Sequence, residues 1–431
     1  MNIGTKRKFS LLTALLLLFF PPLFGHDPAI ASAASSSAAQ SSIGKLSPAE
    51  KEIYDQYIQF FEKVYDTIDK NYYFPVTREG FNRFIDWFNE KIYAKSEERD
   101  KKSNYINWRS AAYLVDFLKD PEDTFSTFFP PKDAKKFEQK ALGQKVDLGI
   151  EGKLVSLGYE ITHVEPRADA YVKGLKPKDI IVTINNKRVL DSTENDIVAM
   201  LTPLIDTKVL ISYIDHVDTQ EKQVELTSME YIKQSVFMVP VPVPGVFCLE
   251  VRTFNRMTAE DMLRFLAVID RQGESCLIID LRGNPGGPPL AAREISAFFL
   301  PPGEPLAYFQ KKNQPKAILS APEIPEKYRY KGPVAILVNE KSGSSSELFS
   351  GFMQRLGRAT LIGTNTAGKV MLKSMFDFDD GSMLLLVTAR GYFSDGVVYS
   401  FKGVVPNQKV EDKSIDLIRY AALYLKSLKN K

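Results

Sequence analysis

The sequence predicts a multidomain α+β protein: a helical N-terminal region, then a small β-rich domain, then an α/β domain. Three observations carry this. Tyr54, Ile58, Phe61 and Val64 recur at helical spacing; the period shortens to that of strands over 146–229; and beyond Gly245 apolar strands alternate with helices, the pattern of βαβ crossovers. A chain of 431 residues can bury two or three such cores.

Taken in order, Lys6-Arg-Lys8 precedes an apolar run over 11–20, and small residues follow at Ala29-Ile-Ala31 and Ala31-Ser-Ala33. That is the layout of a secretory signal peptide over 1–33, with an uncleaved signal anchor as the other reading. The run is shorter than the ~20 residues of a membrane span. The expected location is therefore exported: a bacterial periplasm or cell envelope. Residues 34–45, rich in serine and alanine, form a linker that cannot bury a core. The helical region covers 46–145. Ser47 is its first N-cap, with Pro48 at the first helical position and Glu50 completing a capping box. A second aromatic-rich helix covers about 78–93, and Pro121, Pro130 and Pro131 then break the pattern. The aromatic residues of these helices are read as core or as contacts of a homodimer.

Over 146–229, strands at 159–164, 179–184 and 209–214 flank one helix at about 194–202. Leu148-Gly-Ile150 and Gly174-Leu-Lys-Pro-Lys-Asp179 stand where a PDZ domain has its corresponding segments, and the stretch resembles that domain. The resemblance implies peptide binding by Asp147, Leu148, Gly149 and Ile150. Backbone amides of the loop would hold a terminal carboxylate, and the next strand would pair with the peptide. The family's loop begins with glycine, so the acidic Asp147 is expected to weaken anion capture.

The α/β domain covers 230–431. Its strands are expected at 246–251, 277–281, 334–338 and 360–362, its helices at about 259–272, 289–299 and 345–356. A strand-rich run at 383–393 and a closing helix at 414–428 complete it. Cys248 and Cys276 fall in the strands and read as small buried hydrophobes, with one disulfide as the alternative. The formal charge of +3 is small and evenly spread, which gives no ground for nucleic-acid binding.

The chemistry gathers in Lys341-Ser-Gly-Ser-Ser-Ser-Glu347 and Thr366-Ala-Gly-Lys369. A serine hydroxyl needs a base to become a nucleophile. The chain has three histidines: His26 in the targeting segment, and His163 and His216 in the β-rich domain. Lysine is therefore the better candidate. A serine cluster at a helix start is by itself only a cap. Here it stands beside a strand that runs into Gly283-Asn-Pro-Gly-Gly287, a loop whose amides can converge on an oxyanion. Gly363-Thr-Asn-Thr-Ala-Gly-Lys369 also approaches a phosphate-binding loop. However, Val370 cannot bind Mg²⁺ and a strand-like run follows where a helix should start.

Asp280-Leu-Arg-Gly-Asn-Pro-Gly-Gly287, Ser344-Ser-Ser-Glu347, Thr366-Ala-Gly-Lys369 and Gly403-Val-Val-Pro406 resemble, in order, the motifs of the C-terminal processing (tail-specific) peptidases. These are PDZ-containing Ser–Lys endopeptidases with crotonase-like βαβ units. The resemblance implies Ser344 as nucleophile and Lys369 as general base. It also implies an oxyanion hole from the Ser345 amide and that of Gly286 or Gly287, and no metal or cofactor. Expected partners are unfolded or tail-exposing protein substrates and an adaptor protein. Three positions depart from the family: Ser345 replaces an alanine, Ala367 an aromatic, and Lys373 the glutamine that orients the base. A second ammonium at 373 would depress the pKa of Lys369. From another class, the alternative is a PDZ adaptor of the same fold that binds tails without cutting them.

Overall fold

The computed structural model describes residues 46–96, 104–273, 275–368, 371–397 and 403–429. The expected signal peptide and linker, and Lys369, lie outside the described residues.

The helical region consists of α1 (Pro48–Asn71), α2 (Arg78–Lys91), α3 (Asn104–Leu118), the short strand β1 (Thr127–Phe129) and α4 (Pro131–Leu142). The capping box forms as expected: the Glu50 amide donates to Ser47 Oγ at 3.3 Å, and the Ser47 amide to Glu50 Oε2 at 2.9 Å. Phe61 meets Phe84 and Phe88 edge-on, with ring centroids 5.3 and 5.0 Å apart.

The β-rich part is bracketed by two antiparallel partners, β2 (Gln144–Asp147) and a strand at Met229–Ile232. Between them run β3 (Ile150–Val155), β4 (Gly158–Val164), β5 (Ile180–Ile184), β6 (Lys187–Arg188), α5 (Glu194–Leu201), β7 (Lys208–Ile214) and β8 (Glu221–Thr227); the closing bracket is β9. The sheet order is β3-β4-β5-β7-β8, so β3 is an edge strand beside α5, open to pairing with an added strand.

In the α/β part, β10 (Val236–Val239), β11 (Val246–Val251), α6 (Thr258–Asp270), β12 (Cys276–Asp280) and α7 (Pro289–Ser296) come first. They are followed by β13 (Pro305–Lys311), β14 (Ala317–Ser320), β15 (Val334–Val338), α8 (Ser345–Arg355) and β16 (Thr360–Gly363). The last elements are β17 (Met371–Asp377), β18 (Met383–Phe393), β19 (Gln408–Lys409) and α9 (Leu417–Lys429). One sheet runs β10-β11-β12-β15-β16-β19, parallel throughout except for β10. Strand alternation sorts its two faces. Leu277, Ile279 and Ile336 pack with α6, α7 and α8, while Cys276, Ile278 and Ala335 pack with α9. Cys248 and Cys276 are buried and not joined by a disulfide, and burial pushes the Cys248 thiol up to about 12.

A second, antiparallel sheet joins β1, β18, β13 and β14, with β17 on the other edge of β18. The helical region packs its aromatic core directly on this sheet, against Met371, Leu384, Leu386 and Val387. Its aromatics are therefore core, shared with strands of the far C-terminal half.

Candidate active site

β12 and β15 are parallel neighbours, so the loops that follow them leave the sheet at the same edge, where open α/β sheets build their sites. Asn284 stitches the two loops together. Its Nδ2 donates to Val251 O at 2.7 Å and its Oδ1 accepts the Gly286 amide at 2.8 Å, while its carbonyl accepts the Gly343 amide and Ser346 Oγ, both at 3.0 Å. Gly286 has a φ of 105°, and a Cβ there would lie 2.6 Å from Ser344 Cβ. Only glycine lets the loop lie against the serine.

Ser344 caps α8 with φ 53° and ψ −114°, a strained conformation for a residue with a side chain. A serine held in this way on a strand–turn–helix bend is aimed away from the backbone bonds around it. Its Oγ is buried and has no hydrogen-bond partner among the described residues.

Glu347 is the residue whose role the sequence reading missed. It is buried at the third position of α8, where its Oε2 accepts the Ser344 amide at 2.8 Å. Its Oε1 accepts Thr366 Oγ1 at 2.7 Å and the Gly368 amide at 2.6 Å. One carboxylate therefore ties the Ser344 turn to the loop that leads into Lys369. The signal was present as the spacing of a capping box, Ser344-x-x-Glu347. The Ala367 amide donates to Ser342 O at 2.9 Å, and Thr366 Oγ1 accepts the Val404 amide at 2.6 Å. All four motifs thus meet in one place.

For the oxyanion hole, the structure separates the two glycine candidates. The Gly286 amide is engaged by Asn284, which removes it from the expected set. The Gly287 and Ser345 amides have no acceptor among the described residues, and Ser345 Oγ donates to Gly287 O at 2.7 Å, which holds the two residues together. The Ser345 amide also stands at the positive end of α8.

Lys373 lies on β17 opposite Val387, fully buried, with Nζ 4.3 Å from the centre of the Phe125 ring. An aromatic face is favourable to an ammonium. Phe125 is held by a staple in which Asp123 accepts the Phe125 and Ser126 amides and the Tyr72 hydroxyl. Lys369 itself lies outside the described residues. His163 is on β4 and His216 follows β7, both in the PDZ-like part.

The expectation for Asp147 needs correction. Its carboxylate is turned inward, where it accepts the Gly149 amide at 2.7 Å and the Tyr231 hydroxyl at 2.5 Å and pairs with Lys145 at 2.6 Å. It is neutralised rather than facing a ligand. The Gly149 amide is thereby committed, and that of Leu148 donates to Leu201 O at 3.2 Å. Ile150 opens the edge strand β3. Asp147 thus organises the loop and also holds it shut.

Comparison with known proteins agrees with this arrangement. Residues 245–410 match the model of peptidase family S41, and residues 132–211 that of the PDZ domain. The chain is 27% identical over 327 residues to the carboxy-terminal processing protease CtpA of Bacillus subtilis, covering 72% of this chain and 66% of that one. It is 24% identical over 328 residues to a CtpA-like serine protease of Staphylococcus saprophyticus, covering 75% of this chain and 65% of the relative. The matches thus span just under two thirds of those relatives' length. Among solved structures, the tricorn protease shares the fold with a TM-score of 0.53 at 16% identity, over 87% of this chain and 37% of that one. With Ser344 at the meeting point of the loops, residues 245–410 form a domain of peptidase family S41, and a PDZ domain over 132–211 stands ahead of it.

Proposed function

We propose that this chain is an exported serine endopeptidase that takes protein C-terminal tails in its PDZ domain and hydrolyses peptide bonds with a Ser344–Lys369 dyad. The observation that carries the reading is the strained Ser344, whose Oγ has no hydrogen-bond partner among the described residues, with Glu347 tying its turn to the residue before Lys369. In this reading Ser344 Oγ attacks the scissile carbonyl and its proton passes to the neutral Lys369 amine. The Ser345 and Gly287 amides receive the developing oxyanion. Lys369 then gives the proton to the leaving amine, and water releases the acyl group by the same route in reverse. The basic, apolar and small-residue order of 1–33 supports export to the cell envelope. A homodimer and an adaptor protein remain proposed partners. The complete burial of Ser344 favours one second reading, a tail-binding adaptor that does not cut. Sequencing the fragments of an unfolded protein incubated with the purified chain decides between them, because intact substrate removes the protease reading.

Tail recognition has its own test. Capture of a terminal carboxylate must replace the bonds the Leu148 and Gly149 amides already make, so the gain is a difference between hydrogen bonds. A substrate with a free apolar C-terminus is expected to be cut about tenfold faster than its amidated twin, a difference of about 1.4 kcal/mol. Equal rates would remove carboxylate reading from this domain.

Lys373→Gln is expected to move the rise of activity with pH to higher pH. Its ammonium disfavours a proton on a neighbouring lysine, and removing it lets Lys369 hold that proton longer. An unmoved profile would place Lys373 outside the dyad's field.

A further inference from the structure

Far from Ser344, at the N-terminal end of the same parallel strands, the chain carries a built hollow. Ser275 leads into β12 and Gly332-Pro333 into β15, and these residues line a cavity of about 540 Å³. A second hollow of about 310 Å³ shares its Asp270, Lys327, Arg329 and Tyr330 walls and continues over Leu263 and Leu266 of α6. Each is within the size range of ligand sites. The trough carries both signs at one end, Asp270 and Glu326 among Lys327, Arg329 and Lys331, and is apolar along Leu263 and Leu266 at the other.

Its charges are only partly matched. Glu326 pairs with Lys331 at 2.8 Å and reaches Arg329 at 4.0 Å. Lys327 and Arg271 have no acidic partner among the described residues. Arg329 Nε is buried with no acceptor among the described residues. Directly behind the wall, the Arg358 guanidinium donates to Tyr330 O at 2.6 Å, Gly332 O at 3.0 Å and Phe299 O at 3.0 Å. It meets backbone carbonyls only; no carboxylate reaches it among the described residues. Burial holds it below its ordinary pKa. A buried cation is ordinarily paired with an anion, and this one lies one layer behind an open cavity that also presents Lys327 and Arg329.

We propose that this trough is a binding site for a short acidic segment of a partner protein. A carboxylate sits against Lys327 and Arg329 in front of Arg358, and an adjacent apolar side chain lies along Leu263 and Leu266. One feature favours a peptide over a phosphate-rich ligand: the second hollow offers apolar surface along Leu263 and Leu266 for a neighbouring side chain. The site is at the opposite edge of the sheet from the catalytic loops, so a partner can be held there while Ser344 remains free to work. The inference is independent of the Ser344–Lys369 reading.

The test uses the full chain with Ser344→Ala and a fluorescein-labelled Glu-Leu-Asp-Leu-Glu-Leu peptide. Both peptide ends are blocked, so that no terminal carboxylate is offered to the PDZ domain. Saturable binding by fluorescence anisotropy is expected. It should weaken about tenfold or more with Lys327→Glu plus Lys331→Glu, and similarly with the Gln-Leu-Asn-Leu-Gln-Leu analogue. Both lysines are exposed, and an unchanged circular dichroism spectrum confirms the fold of the variant. Binding that ignores the charge reversal, or an analogue that binds equally well, would overturn the proposal. So would displacement by inorganic phosphate at concentrations matching the peptide's own, or binding only to phosphatidylglycerol vesicles. Those two outcomes assign the cavity to a small anion or to a lipid headgroup.

Discussion

Ser344→Ala is expected to abolish proteolysis, with kcat falling by about 10⁴-fold or more, while the folded state stays as stable as before. Removing one member of a nucleophile–base unit costs nearly the whole effect, so Lys369→Ala should match it and the double variant should be no worse. Stability is the unusual half of this expectation. Ser344 Oγ is buried without a hydrogen-bond partner among the described residues, and a buried hydroxyl left unpaired is destabilising by about 1–3 kcal/mol. Its deletion should leave the urea midpoint unchanged or raise it. Full cleavage by the variant, measured against unfolded substrate, would remove Ser344 as nucleophile. A large drop in midpoint would mean that the hydroxyl is bonded in solution.

Glu347→Ala should lower activity and stability together. It strips the acceptor from the Ser344 amide, Thr366 Oγ1 and the Gly368 amide, all in the interior. Each unsatisfied donor costs about 1–3 kcal/mol, so a loss of about 3–5 kcal/mol is expected from urea unfolding. Because the same carboxylate joins the serine turn to the lysine loop, kcat should fall about 100-fold or more in the fraction still folded, since small misplacements of reacting groups are costly. Thr366→Val is the milder companion. It keeps the shape, loses the bridge between Glu347 and Val404, and should lie between the two. A Glu347→Ala protein with ordinary kinetics would show that the clamp plays no part in placing the dyad.

Much of this architecture is legible along the chain, for identifiable reasons. Val246–Val251, Val334–Val338 and Met383–Phe393 are apolar runs closed by glycine, proline or polar residues, and their strands take those bounds. α4 escaped because Pro130-Pro131 reads as a break, whereas proline at the first helical position also starts a helix. The serine cluster and glycine loop were found by pattern, since the chemistry needs those residue types close together. What could not be found are orientations set by distant partners. Asp147 looks like a charge facing a ligand until Tyr231 and Lys145 turn it inward. Lys373 reads as an ammonium that perturbs Lys369, and its place against the Phe125 ring is not legible in the sequence. The choice between Gly286 and Gly287 rests on one side-chain oxygen, Asn284 Oδ1.

The aromatic core shared between α1–α3 and β17–β18 has a consequence for how the chain comes into being. Ser126 Oγ accepts the Val387 amide across 261 residues of sequence, and Lys63 reaches Asp379 across 316. A ribosome adds about 5–20 residues per second, N-terminus first. The first helices therefore wait roughly ten seconds or more for the strands that complete them, with Phe61, Phe84 and Phe88 lacking part of their cover. During that interval the newborn chain is a sticky, half-assembled object. Segments cut away from the C-terminal half should aggregate rather than fold, and a holding chaperone has its natural client there.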